Sequence, residues 1–248
     1  MFELLDRDAA ARNHLWLQHL AADFNLKYQP EIFKFSWVTK REHVLITYLV
    51  GCPVYPYIRY GKDSKTRIKN LKSFLASKDF AAECRRSHGS VLIVKHFENV
   101  IKHLKGIKEK NSFRRLIARL NRAATPWGSI ILASPDSRRE REFLFNTVLM
   151  HEWAHILLLS NKIFFQRIAK RYWPLDEGLA TYMVAWSKGH RVLSAELKRC
   201  RAHLRKERNR FKPYAIGTLK ISTLLKNKKN AQERYIAIRR YLWRLQHV

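Results

Sequence analysis

The sequence predicts an α+β fold, and two observations carry that reading. Short β-branched and aromatic runs are confined to the first 135 of the 248 residues, and the remainder keeps a helical period almost throughout. Hydrophobic residues make up 46% and aromatics 12%. That is enough apolar material for a sizeable core and too much for a disordered chain.

Residues 2–25 read as an amphipathic helix with Phe2, Leu5, Ala9, Leu15, Leu17, Leu20 and Phe24 on its apolar side. Over 31–60 the period changes. The runs EIFKFSWV (31–38), HVLITYLV (43–50) and PVYPYIRY (53–60) are separated by charged or proline-containing breaks and predict a three-strand meander. Residues 63–87 return to a helical pattern through Ile68, Leu71, Phe74, Leu75 and Phe80. SVLIVKHF (90–97) predicts a strand, 98–123 a helix, and WGSIILAS (127–134) a further strand. Pro135-Asp136-Ser137 closes that strand and signals a helix start. Helices are then expected over 138–160, 163–172, 175–188, 191–210 and 229–246. The expected organisation is one domain over 1–248, with an α/β lobe over 1–137 and a helical lobe over 138–248.

The longest apolar runs, 43–50 and 145–150, are far too short to span a bilayer, so no transmembrane segment is expected. The opening MFELLDRDAAARNH carries early acidic residues and lacks an apolar core with a cleavage site, unlike a secretory signal. A cytoplasmic address is the default expectation, and signal-less export would leave no trace in the sequence. Cys52, Cys84 and Cys200 are odd in number, widely spaced and without a C-x-x-C pair. They predict reduced, mostly buried thiols rather than a disulfide framework or a cysteine zinc site.

The stretch Val148-Leu149-Met150-His151-Glu152-Trp153-Ala154-His155-Ile156-Leu157 places H-E-x-x-H inside a strong helical pattern. Residues four apart on a helix stand one above the other, so two imidazoles there can converge on one Zn²⁺. Glu152 projects beside such an ion rather than into it, where it can take a proton from water. Chance supplies about 0.03 matches to the three fixed positions in a chain of this composition. The segment is apolar except at these three positions, and burying three ionisable groups without a partner is costly. A catalytic zinc needs a third protein ligand and one open position. The candidate is Glu177 in Trp173-Pro174-Leu175-Asp176-Glu177-Gly178-Leu179-Ala180-Thr181-Tyr182, with 21 residues between it and His155. Pro174 can open a helix there. Gly178 removes a side chain beside Glu177, which is expected to let this helix approach the metal helix closely.

Together, V-L-M-H-E-W-A-H-I-L and W-P-L-D-E-G-L-A-T-Y resemble the gluzincin metallopeptidases, over about residues 127–188. The second block is most similar to the aminopeptidase N family and its smaller relatives. The resemblance implies a zincin-like fold with an N-terminal mixed-sheet lobe and a C-terminal helical lobe carrying both metal segments. It implies one zinc ion on His151, His155 and Glu177, with Glu152 as general base and acid. It also implies that the strand over 128–134 is an edge strand that pairs with an extended polypeptide substrate. The chain lacks the Gly-x-Met-Glu-Asn segment with which those aminopeptidases grip a free amine, and it is far shorter. Aminopeptidase specificity therefore does not carry over, and endopeptidase action is the expectation.

Tyr182, Tyr214, Tyr235 and His190 are the candidates for a second oxyanion donor. Tyr182 also fits a core position, and His190 a solvated helix start. Asp176 either orients His151 or His155 from behind or simply caps the helix; both remain open.

Charge is the other unusual property: 49 Lys and Arg against 20 Asp and Glu, a formal +29. Lys and Arg are densest over 188–212 and recur over 105–122, with no zinc-finger, P-loop or RRM motif beside them. Such a field attracts nucleic acid, anionic membrane or acidic protein. The competing reading is thus a non-catalytic or nucleic-acid-tethered protein on a zincin scaffold, binding polyanions through its basic surface.

Overall fold

A computed structural model describes residues 2–50, 64–86, 90–93, 110–122, 125, 129–163, 173–205 and 211–246. In chain order the elements are α1 (Phe2–Asp23), a 3₁₀ turn (Pro30–Ile32), β1 (Phe35–Val38), α2 (Lys40–Val50), α3 (Ser64–Leu75), α4 (Lys78–Arg86) and β2 (Ser90–Ile93). They continue with α5 (Lys110–Arg122), β3 (Ser129–Ala133), α6 (Arg138–Phe143), a π-helical segment (Leu144–Leu149) and α7 (Met150–Ser160). The last are α8 (Trp173–Ser187), α9 (His190–Leu204), α10 (Lys212–Leu225) and α11 (Ala231–Gln246). Helix dominates and the sheet is small, a form compatible with the α+β expectation at that coarse level.

The chain divides into two compact units, Met1–Phe33 with Met150–Val248, and Lys34–Leu149. The expected lobe boundary at 137 differs from this division at both ends. The first helix belongs with the helical unit because its buried residues Leu17, Leu20 and Ala21, and Phe24 just beyond it, pack there. Phe24 meets Trp186 edge-on at 6.3 Å, and Trp186 donates its indole N–H to Asp23. Leu15, expected on the apolar side, is exposed.

In the unit Lys34–Leu149, β3 is the central strand of a three-stranded sheet ordered β1-β3-β2. It runs parallel to β1, with Phe35 opposite Ile130, and antiparallel to β2, with Ser90 opposite Leu132. Both edges of β3 are therefore occupied. The expectation of a substrate-pairing edge strand over 128–134 is overturned, since a paired strand has no free N–H and C=O row to offer. Ile131 and Val38 pack with Ile46, Leu116, Ile117 and Leu120 to cover one face of the sheet.

The run HVLITYLV is helical, not a strand. Thr39 and Glu42 form a reciprocal capping box: the Thr39 N–H donates to Glu42 Oε2 at 2.8 Å, and the Glu42 N–H to Thr39 Oγ1 at 3.1 Å. This start signal and the unbroken burial of His43 to Thr47, which lacks the alternation of a half-buried strand, outweigh the β-branched composition. PVYPYIRY lies outside the described residues, as do 94–109. The single helix expected over 63–87 is two, divided where the Ser77 hydroxyl donates to the Phe74 carbonyl and accepts from the Phe80 N–H. Helix α6 starts as expected, with the Ser137 hydroxyl accepting the Glu140 N–H at 3.1 Å. The helical run over 138–160 contains the π-helical turn at 144–149. The helix expected over 163–172 falls outside the described residues but for its first position. Cys200 is buried and Cys84 half-buried, both as free thiols; Cys52 lies outside the described residues.

Helix α10 is an element that the sequence pattern does not predict. It lies against α8 at a point where both helices carry glycine, Gly178 and Gly217. A Cβ on Gly178 would stand 2.2 Å from the Gly217 carbonyl carbon, and one on Gly217 would stand 1.6 Å from the Pro174 carbonyl oxygen. Two backbones can approach this closely only where neither has a side chain. Gly178 thus serves contact with α10, which corrects the expectation that it brings α8 to the metal helix.

Candidate metal centre

The i, i+4 spacing puts His151 and His155 on one face of α7, with ring centroids 4.7 Å apart and planes at 85°. Most of the rest of that helix is apolar and buried, through Met150, Trp153, Ala154, Ile156, Leu157 and Leu158. Trp153, on the side away from the histidines, packs against His14 at 4.9 Å and Phe33 at 5.9 Å. Tyr28 stacks on Phe33 and shares a 2.6 Å hydrogen bond with His14 Nδ1, whose pKa burial lowers. Met150 and Ala154 pack on Ala180 and Val184 of α8, with Trp16 covering them. Trp16 also donates its indole N–H to the Ser187 hydroxyl at the far end of α8. These contacts fix the rotation of α7 against α8, and so where the two imidazoles point.

They point at the first turns of α8. His151 Nε2 lies 3.0 Å from Glu177 Oε2. His155 Nε2 lies 3.1 Å from His151 Nε2 and 3.5 Å from the same Glu177 oxygen. His155 Nδ1 is 2.8 Å from Asp176 Oδ1, to which its N–H donates. That bond leaves Nε2 as the nitrogen turned toward His151 and Glu177. The imidazole that Asp176 contacts is thus that of His155.

Burial and charge are matched here. Burial alone would lower the His155 pKa, but Asp176 and then Glu177 outweigh it and hold it well above the ordinary range. Burial would likewise raise Glu177, yet His155 and His151 hold it well below the usual carboxylate range. Two carboxylates around two imidazoles make a pocket suited to positive charge. The His155 side chain is 5% exposed and that of His151 22%, so the cluster opens to solvent on the His151 side. Glu152, next along the helix, is half-buried.

His151, His155 and Glu177 form a grouping that can hold a metal ion. The spacing supports this. A tetrahedral ion with bonds of about 2.0–2.1 Å spaces its ligand atoms about 3.3–3.4 Å apart. The three separations found, 3.0, 3.1 and 3.5 Å, bracket that value. No protein family, curated protein or solved structure matches this chain.

The remaining candidates lie elsewhere in the helical unit. Tyr182 is buried in the core, stacked on Trp186 at 6.1 Å, and burial raises its pKa against the influence of Arg234. Tyr214 sits in the first turn of α10, edge-on to Phe211 at 6.2 Å. Tyr235 is half-buried on α11. His190 is the exposed first residue of α9, following Gly189 at φ 94°. Gly217 is the supporting residue that sequence reasoning missed: it seats the Pro174 turn from which Asp176 and Glu177 project. A glycine in the middle of an apolar helical run was its only signal.

Proposed function

We propose that the protein is a zinc-dependent peptidase, with His151, His155 and Glu177 as ligands and Glu152 as the proton carrier. The observation that supports this best is the convergence of three lone-pair atoms from two helices at tetrahedral spacing, with a carboxylate on the adjoining helix position. Two imidazoles and one carboxylate are a donor set suited to Zn²⁺ with a fourth position left open for water. A zinc ion held there supplies Lewis acidity, which makes a water acidic near neutral pH and polarises a carbonyl oxygen.

The chain's own residues supply the rest. Asp176 holds the His155 ring in one tautomer and orientation, which keeps its Nε2 basic toward the ion. Glu152 accepts the proton from the attacking water on its carboxylate and returns it to the departing amine nitrogen. The apolar packing of α7 and α8 holds these groups at fixed separations, so little reorganisation is needed at the moment of reaction. The missing amine-gripping segment favours cleavage at internal peptide bonds.

The test is casein hydrolysis by the zinc-loaded protein against Glu152→Gln. General acid–base catalysis contributes roughly 10²–10⁴-fold, so the variant should lose about that much in kcat while keeping its zinc. A Glu152→Gln variant that cleaves at the wild-type rate would rule the mechanism out.

A further inference from the structure

The peptidase reading leaves the charge of the chain unused, and the unit Lys34–Leu149 places part of it in a defined shape. Helix α5 is amphipathic. Phe113, Leu116, Ile117 and Leu120 are buried, while Ser112, Arg114, Arg115, Ala118, Arg119 and Arg122 are exposed. Arg115, Arg119 and Arg122, together with Ser112, line a surface groove of about 470 Å³ whose other wall includes Glu42 of α2. Glu42 pairs with Arg119 at 3.3 Å. Among the described residues it is the one acidic side chain lining that groove against three arginines.

We infer that this groove binds the phosphodiester backbone of a nucleic acid. Positions i, i+4 and i+7 on a helix span about 10.5 Å at about 1.5 Å per residue. Successive phosphates of one strand advance about 3.4 Å along a duplex axis, so the row of three guanidinium groups spans about three phosphate steps. Arginine suits this because its planar fork takes phosphate oxygens in pairs. A row of guanidinium groups along one helix and its open groove follows a linear polyanion. Peripheral membrane helices also insert an apolar face, whereas the apolar face of α5 is buried in its own core and its exposed face carries no large apolar residue. Helix α9 exposes comparable charge at Arg191, Lys198 and Arg201, and so provides a control surface of similar charge.

The inference rests on α2 and α5 alone and stands apart from the metal site. The experiment titrates full-length protein into a fluorescein-labelled 20-nucleotide oligothymidylate and a 20-base-pair duplex between 50 and 200 mM salt. Phosphatidylserine vesicles serve as the competing probe. Arg115→Ala/Arg119→Ala/Arg122→Ala should weaken oligonucleotide binding on the order of tenfold or more at low salt. Its slope of log K on log salt should be shallower by about 2–3. Glu42→Gln keeps a capping-box acceptor but frees Arg119, so it should bind more tightly with a slope steeper by about 1. The single-strand and duplex arms show which form the groove prefers. Four results would overturn the inference: an unchanged slope in the triple variant, an equal loss in Arg191→Ala/Lys198→Ala/Arg201→Ala, wild-type binding to vesicles but not oligonucleotides, or binding to neither.

Discussion

Replacing Gly217 with alanine sets two effects of opposite sign against each other. In an exposed helix the change would stabilise by about 1 kcal/mol, because alanine is the better helix former. Here the new Cβ would stand 1.6 Å from the Pro174 carbonyl oxygen, where ordinary contact begins at 3.4 Å, so α8 and α10 must part by roughly 1.8 Å. The obstructing atom is backbone and has no rotamer into which to retreat. Overpacking of this kind costs about 1–3 kcal/mol and sometimes more, and separating two packed helices places it toward the upper end. The net expectation is a loss of about 2 kcal/mol, or about 4–8 °C in thermal midpoint for a chain of this size. The displaced turn is the one that carries Asp176 and Glu177, so zinc affinity should fall as well. Circular-dichroism melts and zinc competition against a chromogenic chelator read the two effects separately. A Gly217→Ala protein that melts at or above the wild-type temperature would refute the reasoning.

Two further outcomes follow from the same geometry. Asp176→Asn keeps the shape behind His155 but removes its charge, and zinc affinity measured by chelator competition should fall about 10–100-fold with little change in melting temperature. Burial pushes the His43 pKa down from 6.5 to about 4, so below pH 6.5 the unfolded chain takes up a proton that the folded chain refuses. That contribution to stability is intact at pH 7 and declines as pH falls, by roughly 3 kcal/mol at pH 4. Urea midpoints at pH 7 and pH 4 should therefore converge for His43→Leu relative to wild type, and an equal loss in both proteins would contradict the assignment.

The grouping of His151, His155 and Glu177 was legible because its signal is local. Four-residue spacing on an apolar helix fixes where two imidazoles go, and Pro174 ahead of Asp176-Glu177 marks a helix start that can return to them. What Gly178 touches was not legible: a glycine announces a close approach without naming the partner, and the partner lies on a helix whose own pattern Gly217 and Thr218 interrupt. The run at 43–50 was misread because β-branched composition reflects packing context more than a fixed backbone preference. The Thr39-x-x-Glu42 box that decides the matter was in the sequence throughout. The place of β3 in its sheet depends on pairings with Phe35–Val38 and Ser90–Ile93, which no local pattern records.

The account stands or falls on the metal content of the purified protein. Elemental analysis after exhaustive dialysis should find one zinc per chain in the wild type. It should find almost none once Glu177 or His155 is replaced by alanine in a chain that still folds. Wild-type protein that keeps no zinc, or variants that keep it in full, would contradict the central claim.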